Sequence, residues 1–222
     1  MSWTRLRESA SSGRFPSPIA PGGEERGNVL GVPWPMRAKL LAHGAFAVGV
    51  CSVATVSLVA APGVCGLFGA GLGFLMLAIA VADAQTFLIP NRLTLPAFLL
   101  ALAASSAKGV DEIAGDVALT VVRGILLALA FLALREVYYR LRQRDGIGLG
   151  DVKLAAVAGA WLDWTLIPAA IEIAAVLALT AYFTNQCLLR QPMRASAKLP
   201  FGLFFAPAIW LCWLIGALFL QD

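Results

Sequence analysis

Residues 64–82, VCGLFGAGLGFLMLAIAVA, form an apolar run with no charged residue that ends on a carboxylate, Asp83. A run of this length is sized for one bilayer crossing, because a hydrocarbon core about 30 Å thick takes about 20 helical residues. The whole chain follows the same chemistry. It is 222 residues long, 59% hydrophobic and 14% charged, with a mean hydropathy of +0.80. Soluble domains carry about 25% charged residues, so a water-soluble fold is excluded. The formal net charge of +4 points to no nucleic-acid partner, because in such a chain Lys and Arg are distributed to set membrane topology.

Outward from that run, seven apolar segments cover residues 40–60, 64–82, 93–106, 114–137, 152–160, 165–189 and 201–220. The third and fifth are too short to cross straight. Pro62 with Gly63, and Pro90 with Asn91, break the chain between neighbours, since proline lacks a backbone donor and disfavours helix in the residue before it. The stretch from Asp151 to Leu189 is too long for one span, and Trp161, Asp163 and Trp164 mark an interfacial turn within it. The expected fold is an all-α, polytopic membrane bundle of six to seven transmembrane segments, some of them short. Residues 1–36, rich in Ser, Gly and Pro, are expected to be a flexible cytoplasmic tail and not a signal peptide, with the membrane domain over 37–222. Cys51, Cys65, Cys187 and Cys212 stand singly in apolar stretches and read as small hydrophobes, not as a disulfide framework or metal knuckle.

Charge distribution orients the bundle. With a cytoplasmic amino terminus, the inner side holds Arg37, Lys39, Arg92, Arg135, Arg140, Arg142, Arg144, Lys153, Arg190, Arg194 and Lys198, whereas the outer loops hold Lys108 with Asp111, Glu112, Asp163 and Asp222. That asymmetry obeys the positive-inside rule. Asp83 then ends an inward-running segment and Asp151 begins an outward-running one, so both carboxylates reach the cytoplasmic face.

Ionisable groups beside apolar segments are costly and mark functional candidates. Here they are His43, Asp83, Arg123, Asp151 and Glu172. Gly146, Gly148 and Gly150 precede Asp151 and remove side chains, which suits a carboxylate that must meet an extended peptide. Two neighbouring carboxylates cannot both ionise cheaply and so share a proton, one activating water while the other polarises a carbonyl, with no metal or cofactor required. Asp151 at a helix amino terminus is expected to be the ionised partner, and Asp83 at a helix carboxyl terminus the protonated one. Each Asp taken alone is also a reasonable helix cap or interfacial charge.

The segments Asp83–Thr94 (DAQTFLIPNRLT), Gly148–Leu154 (GLGDVKL) and Leu199–Phe205 (LPFGLFF) resemble, in that order, the three motifs of the type IV prepilin peptidases, the middle one being the GxGD motif. The resemblance implies a bacterial inner-membrane aspartic endopeptidase with Asp83 and Asp151 as its catalytic pair. Its substrate would be a prepilin or pseudopilin precursor whose short basic leader ends in Gly and is cut on the cytoplasmic side. Pro90, Asn91, Gly148, Gly150, Lys153, Pro200, Phe201 and Gly202 fall within the motifs as supporting or substrate-lining positions. Paired CxxC motifs, which in many members accompany a methylating activity, are absent from this sequence, as in the short members serving Flp-type pili, so peptidase activity without methylation is expected. Asp163 stands where the family often has Gly. Membrane lipids are the other expected partner, and the oligomeric state is left open.

Other readings attach to the remaining polar residues. Arg123 and Glu172 lie at similar depth from the outer ends of their segments and are expected to form a buried ion pair. Lys153 either snorkels to headgroups or positions the motif, two residues from Asp151 and so unsuited to pairing with it. His43 reads as a packing residue, and Pro200–Gly202 as a re-entry turn. The basic stretch REVYYRLRQRD anchors the inner side, Glu136 and Asp145 being its candidate contacts for a basic leader. A transporter using the two aspartates as midplane cation sites, or an inactive scaffold, are the rival classes.

Overall fold

The structure is a computed structural model that describes residues 34–107, 113–143, 146–189 and 200–219. The expected tail over 1–36, save its last three residues, lies outside these, as do Lys108, Asp111, Glu112, Arg144, Asp145, Arg190, Arg194, Lys198 and Asp222. So does the side chain of His43. Met1–His43 and Gly44–Asp222 form separate compact units, and the second carries both aspartates.

Seven helices succeed one another: α1 (Trp34–Ala60), α2 (Val64–Thr86), α3 (Asn91–Ser106), α4 (Ile113–Arg142), α5 (Leu149–Trp161), α6 (Leu166–Leu189) and α7 (Phe201–Phe219). Each expected apolar segment is a helix, and no strand occurs among the described residues. Residues 64–86, 114–142, 166–184 and 201–219 are long and apolar enough to cross a membrane, with Gly44–Ala60 a shorter apolar helix. The chain is thus a multi-pass helical membrane protein. Exposed Leu119, Ile125, Leu129, Val176 and Leu179 on α4 and α6 suit helices whose solvent is lipid.

The 13-residue α5 is the centre of the bundle, packed on α3, α4 and α7. It can sit there because it is made of small residues. Leu154, Ala155, Val157, Ala158, Gly159 and Ala160 are all buried. A Cβ on Gly159 would lie 2.5 Å from the Arg123 carbonyl oxygen of α4, so the two backbones touch. Close approach through small residues is how helices associate where lipid removes the hydrophobic drive. The same device joins α2 to α7, where Gly69 receives the Trp213 ring and Gly73 faces Trp210. Indole donors find partners: Trp210 Nε1 donates to Ser57 Oγ at 3.1 Å, and Trp161 Nε1 to the Ala97 carbonyl at 2.9 Å. Phe131 of α4 stacks on Phe205 of α7 with centroids 5.9 Å apart.

Turns arise from the sequence. Gly63 takes φ +84 after Pro62, and Phe87 ends α2 in the left-handed region at φ 54. Pro90, extended at φ −74 and ψ 140, then caps α3. The chain order thereby sends α3, α5 and α7 away from the end of the bundle at which α2 arrives.

Candidate functional site

Asp83 lies in the last turn of α2 and is 4% exposed. Its Oδ2 accepts the backbone N–H of Leu203, in the first turn of α7, at 2.9 Å. Gly202 makes this approach possible: a Cβ there would sit 2.9 Å from Asp83 Oδ2 and 2.7 Å from Ile89 Cδ1. Pro200–Gly202 is therefore a re-entry point and also the wall against which the carboxylate rests. Phe201 leans on Phe205, centroids 5.3 Å apart, and fixes that first turn.

Asp151 occupies the first turn of α5, outside the four long spans. Its backbone N–H donates to the Gly148 carbonyl at 3.1 Å, and its Oδ2 accepts the Gly148 N–H at 3.3 Å. Burial pushes the Asp151 carboxyl up to about 6, the Gly148 amide pulls it down, and the charge of Asp83 raises it further. The two carboxylates are thus within electrostatic reach of each other, as a pair sharing a proton must be. Ile89 joins the two halves of the site, its side chain packing against both Gly150 and Gly202.

Three helix amino termini, those of α3, α5 and α7, meet at the end of α2. Each brings unsatisfied N–H groups and a partial positive charge. This revises the expected proton assignment. Asp83 does end α2, but the amides that reach its oxygen belong to α7, so both carboxylates face an amino terminus. Helix dipoles therefore give no ground for placing the proton on Asp83.

Lys153 makes one side-chain contact. Its Nζ donates to Asn91 Oδ1 at 2.7 Å, which ties the start of α3 to α5 and links the first motif to the second. The glycines play a different part from the expected one. The space beside Gly150 is filled by Ile89 and that beside Gly146 by the Tyr138 ring, while Gly148 has only ordinary contacts, the nearest to Asp151 Oδ2. The glycines at 146 and 150 admit the protein's own side chains and leave no clearing for a peptide.

The expected Arg123–Glu172 pair does not form. Arg123 Nη1 binds Asp163 Oδ1 of the α5–α6 turn, and Glu172 is exposed on α6. Equal depth places two residues at one height without placing them on facing sides of their helices. Glu136 is engaged by Arg140 Nε at 2.7 Å, one helical turn away. Sequence reasoning missed the Leu203 amide and Ile89. Both lie inside the three motifs, but neither carries a functional group in its side chain to draw notice.

Residues 70–183, which include both aspartates, match the family model for the Type IV leader peptidase family. A prepilin leader peptidase/N-methyltransferase of Burkholderia pseudomallei (strain 1026b) is 33% identical over 166 residues, 75% of this chain and 50% of the relative. One of Aeromonas hydrophila is 29% identical over 161 residues, covering 72% and 53%. Leader peptidase HopD of Escherichia coli is 34% identical over 127 residues, 57% of this chain and 78% of the relative. The chain thus spans about half the length of the first two relatives. No solved structure matches.

Proposed function

Because the chain belongs to the type IV leader peptidase family, we propose that it is a membrane aspartic endopeptidase that removes the leader from prepilin-like precursors, with Asp83 and Asp151 as the catalytic pair. The observation that carries this reading is the meeting of two carboxylates at one end of the bundle. Each is held by a backbone amide, and the two feel one another's charge. In the singly protonated pair the ionised carboxylate takes a proton from water as it attacks the scissile carbonyl, and the protonated one donates to that carbonyl oxygen. The amide bonds to Oδ2 of each aspartate orient the carboxyl planes, so little reorganisation is needed as charge shifts.

The substrate that fits this placement has a short basic leader ending in Gly followed by an apolar helix. The helix would lie in lipid beside the bundle while the leader reaches the aspartates. Lys and Arg at the described ends near the site (Arg92, Arg135, Arg140, Arg142, Lys153) support a cytoplasmic position for it, in the inner membrane with the amino terminus inside. Pilins of the Flp type are the proposed precursors. Co-expression of such a precursor with the wild-type chain and with Asp83→Asn and Asp151→Asn, in a host without its own processing enzyme, tests the reading. Loss of cleavage in both variants at normal membrane levels is expected. Cleavage surviving either change removes that residue from the mechanism.

A further inference from the structure

At the end of the bundle opposite the aspartates, the helices line a partly open cavity of about 200 Å³. A single buried water needs roughly 10–15 Å³ on this measure, so the space is sized for a larger group. Its walls include Trp161, Trp213, Ser105 and Thr120, with Arg123 and Asp163 at one side. The Arg123 side chain is 11% exposed and that of Asp163 73%. The guanidinium meets Asp163 through Nη1, while Nε is buried with no acceptor. Arg123 lines the cavity, and an oxyanion there would be met by the guanidinium donors that face it. Asp163 in turn keeps Oδ2 for a donor.

We propose that this cavity binds the headgroup of a zwitterionic aminophospholipid, its phosphate on Arg123 and its ammonium on Asp163. The charges decide between ligands. A plain anion gains from Arg123 but meets Asp163, and a plain cation meets Arg123. A ligand with an oxyanion and an amine a few ångströms apart matches both. The location decides the source. The cavity lies where α2, α4 and α6 begin and α3, α5 and α7 end, with Trp161, Trp164 and Trp213 nearby, the residues that favour the headgroup level of a bilayer. Ser105 Oγ, which donates to the Leu102 carbonyl, retains lone pairs for the ammonium, and Thr120 adds a buried hydroxyl. The Trp161 ring, pinned by the Ala97 carbonyl, gives the site a fixed wall.

The test uses purified full-length protein in a non-ionic detergent. Binding of dioctanoyl phosphatidylethanolamine, dioctanoyl phosphatidylglycerol, free phosphoethanolamine and inorganic phosphate is followed by tryptophan fluorescence and native mass spectrometry. Wild type is expected to bind phosphatidylethanolamine saturably and about tenfold more tightly than phosphatidylglycerol, a margin set by one charge-assisted contact. Asp163→Asn, an isosteric change whose folding is checked by thermal unfolding of the same preparation, is expected to erase that preference. Arg123→Gln weakens both lipids. No saturable binding, equal affinity for the two lipids in wild type, or an unchanged preference in Asp163→Asn each overturns the proposal. Phosphoethanolamine or phosphate binding as tightly as the lipid overturns its lipid source.

Discussion

Replacing Gly202 by alanine places a methyl carbon 2.9 Å from Asp83 Oδ2, 3.0 Å from its Cγ and 2.7 Å from Ile89 Cδ1. Real Cβ atoms do not tolerate such distances, so something moves. The Ile89 methyl is the flexible end of a side chain and can yield. The carboxylate yields only by leaving the Leu203 amide, 2.9 Å from it in the native site. A hydrogen bond to a charged group contributes about 1.5–3 kcal/mol. If that contribution is lost from the reacting geometry, cleavage slows by roughly 10–150-fold. The assay is initial-rate cleavage of a purified precursor in mixed micelles, run beside thermal unfolding of the same preparation. Ile89→Val in the Gly202→Ala background separates the two contacts, because it removes Cδ1 and leaves the carboxylate crowded. Stability is expected to recover in the double variant while the rate stays low. Gly115→Ala, with nothing within 4 Å of its Cβ, serves as the neutral control. Gly202→Ala at wild-type rate, or a rate fully restored by Ile89→Val, would show that the Leu203 amide does not hold the reacting carboxylate.

Three further outcomes are expected from the same geometry. Burial, and after it the charge of Asp83, raises Asp151 to about 6, and in a coupled pair that step is read as the loss of the second proton. The singly protonated form is the reactive one, and kcat/KM is expected to fall as pH rises through about 6. A profile whose only carboxylate inflection lies near the ordinary value of 3.8 counts against a shared proton. Lys153→Met and Asn91→Ala are expected to be coupled in a double-mutant cycle by about 0.5–1.5 kcal/mol of activation free energy, because they remove one hydrogen bond between them. Additive effects would mean that the two residues act separately. Gly159→Ala, whose methyl would meet the Arg123 carbonyl oxygen at 2.5 Å, sets backbone against backbone between α4 and α5. It is expected to lower the detergent unfolding midpoint by the equivalent of about 1–3 kcal/mol or more, and an unchanged midpoint would show that these helices can part without cost.

The helices are legible in the sequence because lipid imposes a simple rule: apolar length gives spans, and Pro–Gly and Pro–Asn give the breaks between them. Asp83 and Asp151 are legible as one site because alternating direction along the chain brings both to one face. Depth along a helix is legible for Arg123 as well, but its azimuth is not. Residues at one height share a partner only if their helices turn the same faces inward, and Glu172 points outward. The role of Gly150 is hidden for a related reason. A glycine announces that space is needed, and only the fold shows that Ile89 takes it. The helix-dipole ground for the proton assignment is lost because local sequence sees the end of α2 beside Asp83 and not the start of α7, which arrives 120 residues later.

That last separation bears on how the protein is made. A chain entering the membrane from its amino terminus lays down Asp83 early, and Asp151 comes next, yet the amide that holds Asp83 arrives only with α7. Until α7 has been inserted, the first carboxylate lacks its anchor and Gly202 is not there to seat it. A nascent chain halted before residue 203 therefore carries both acids but not the backbone amide against which the first of them rests.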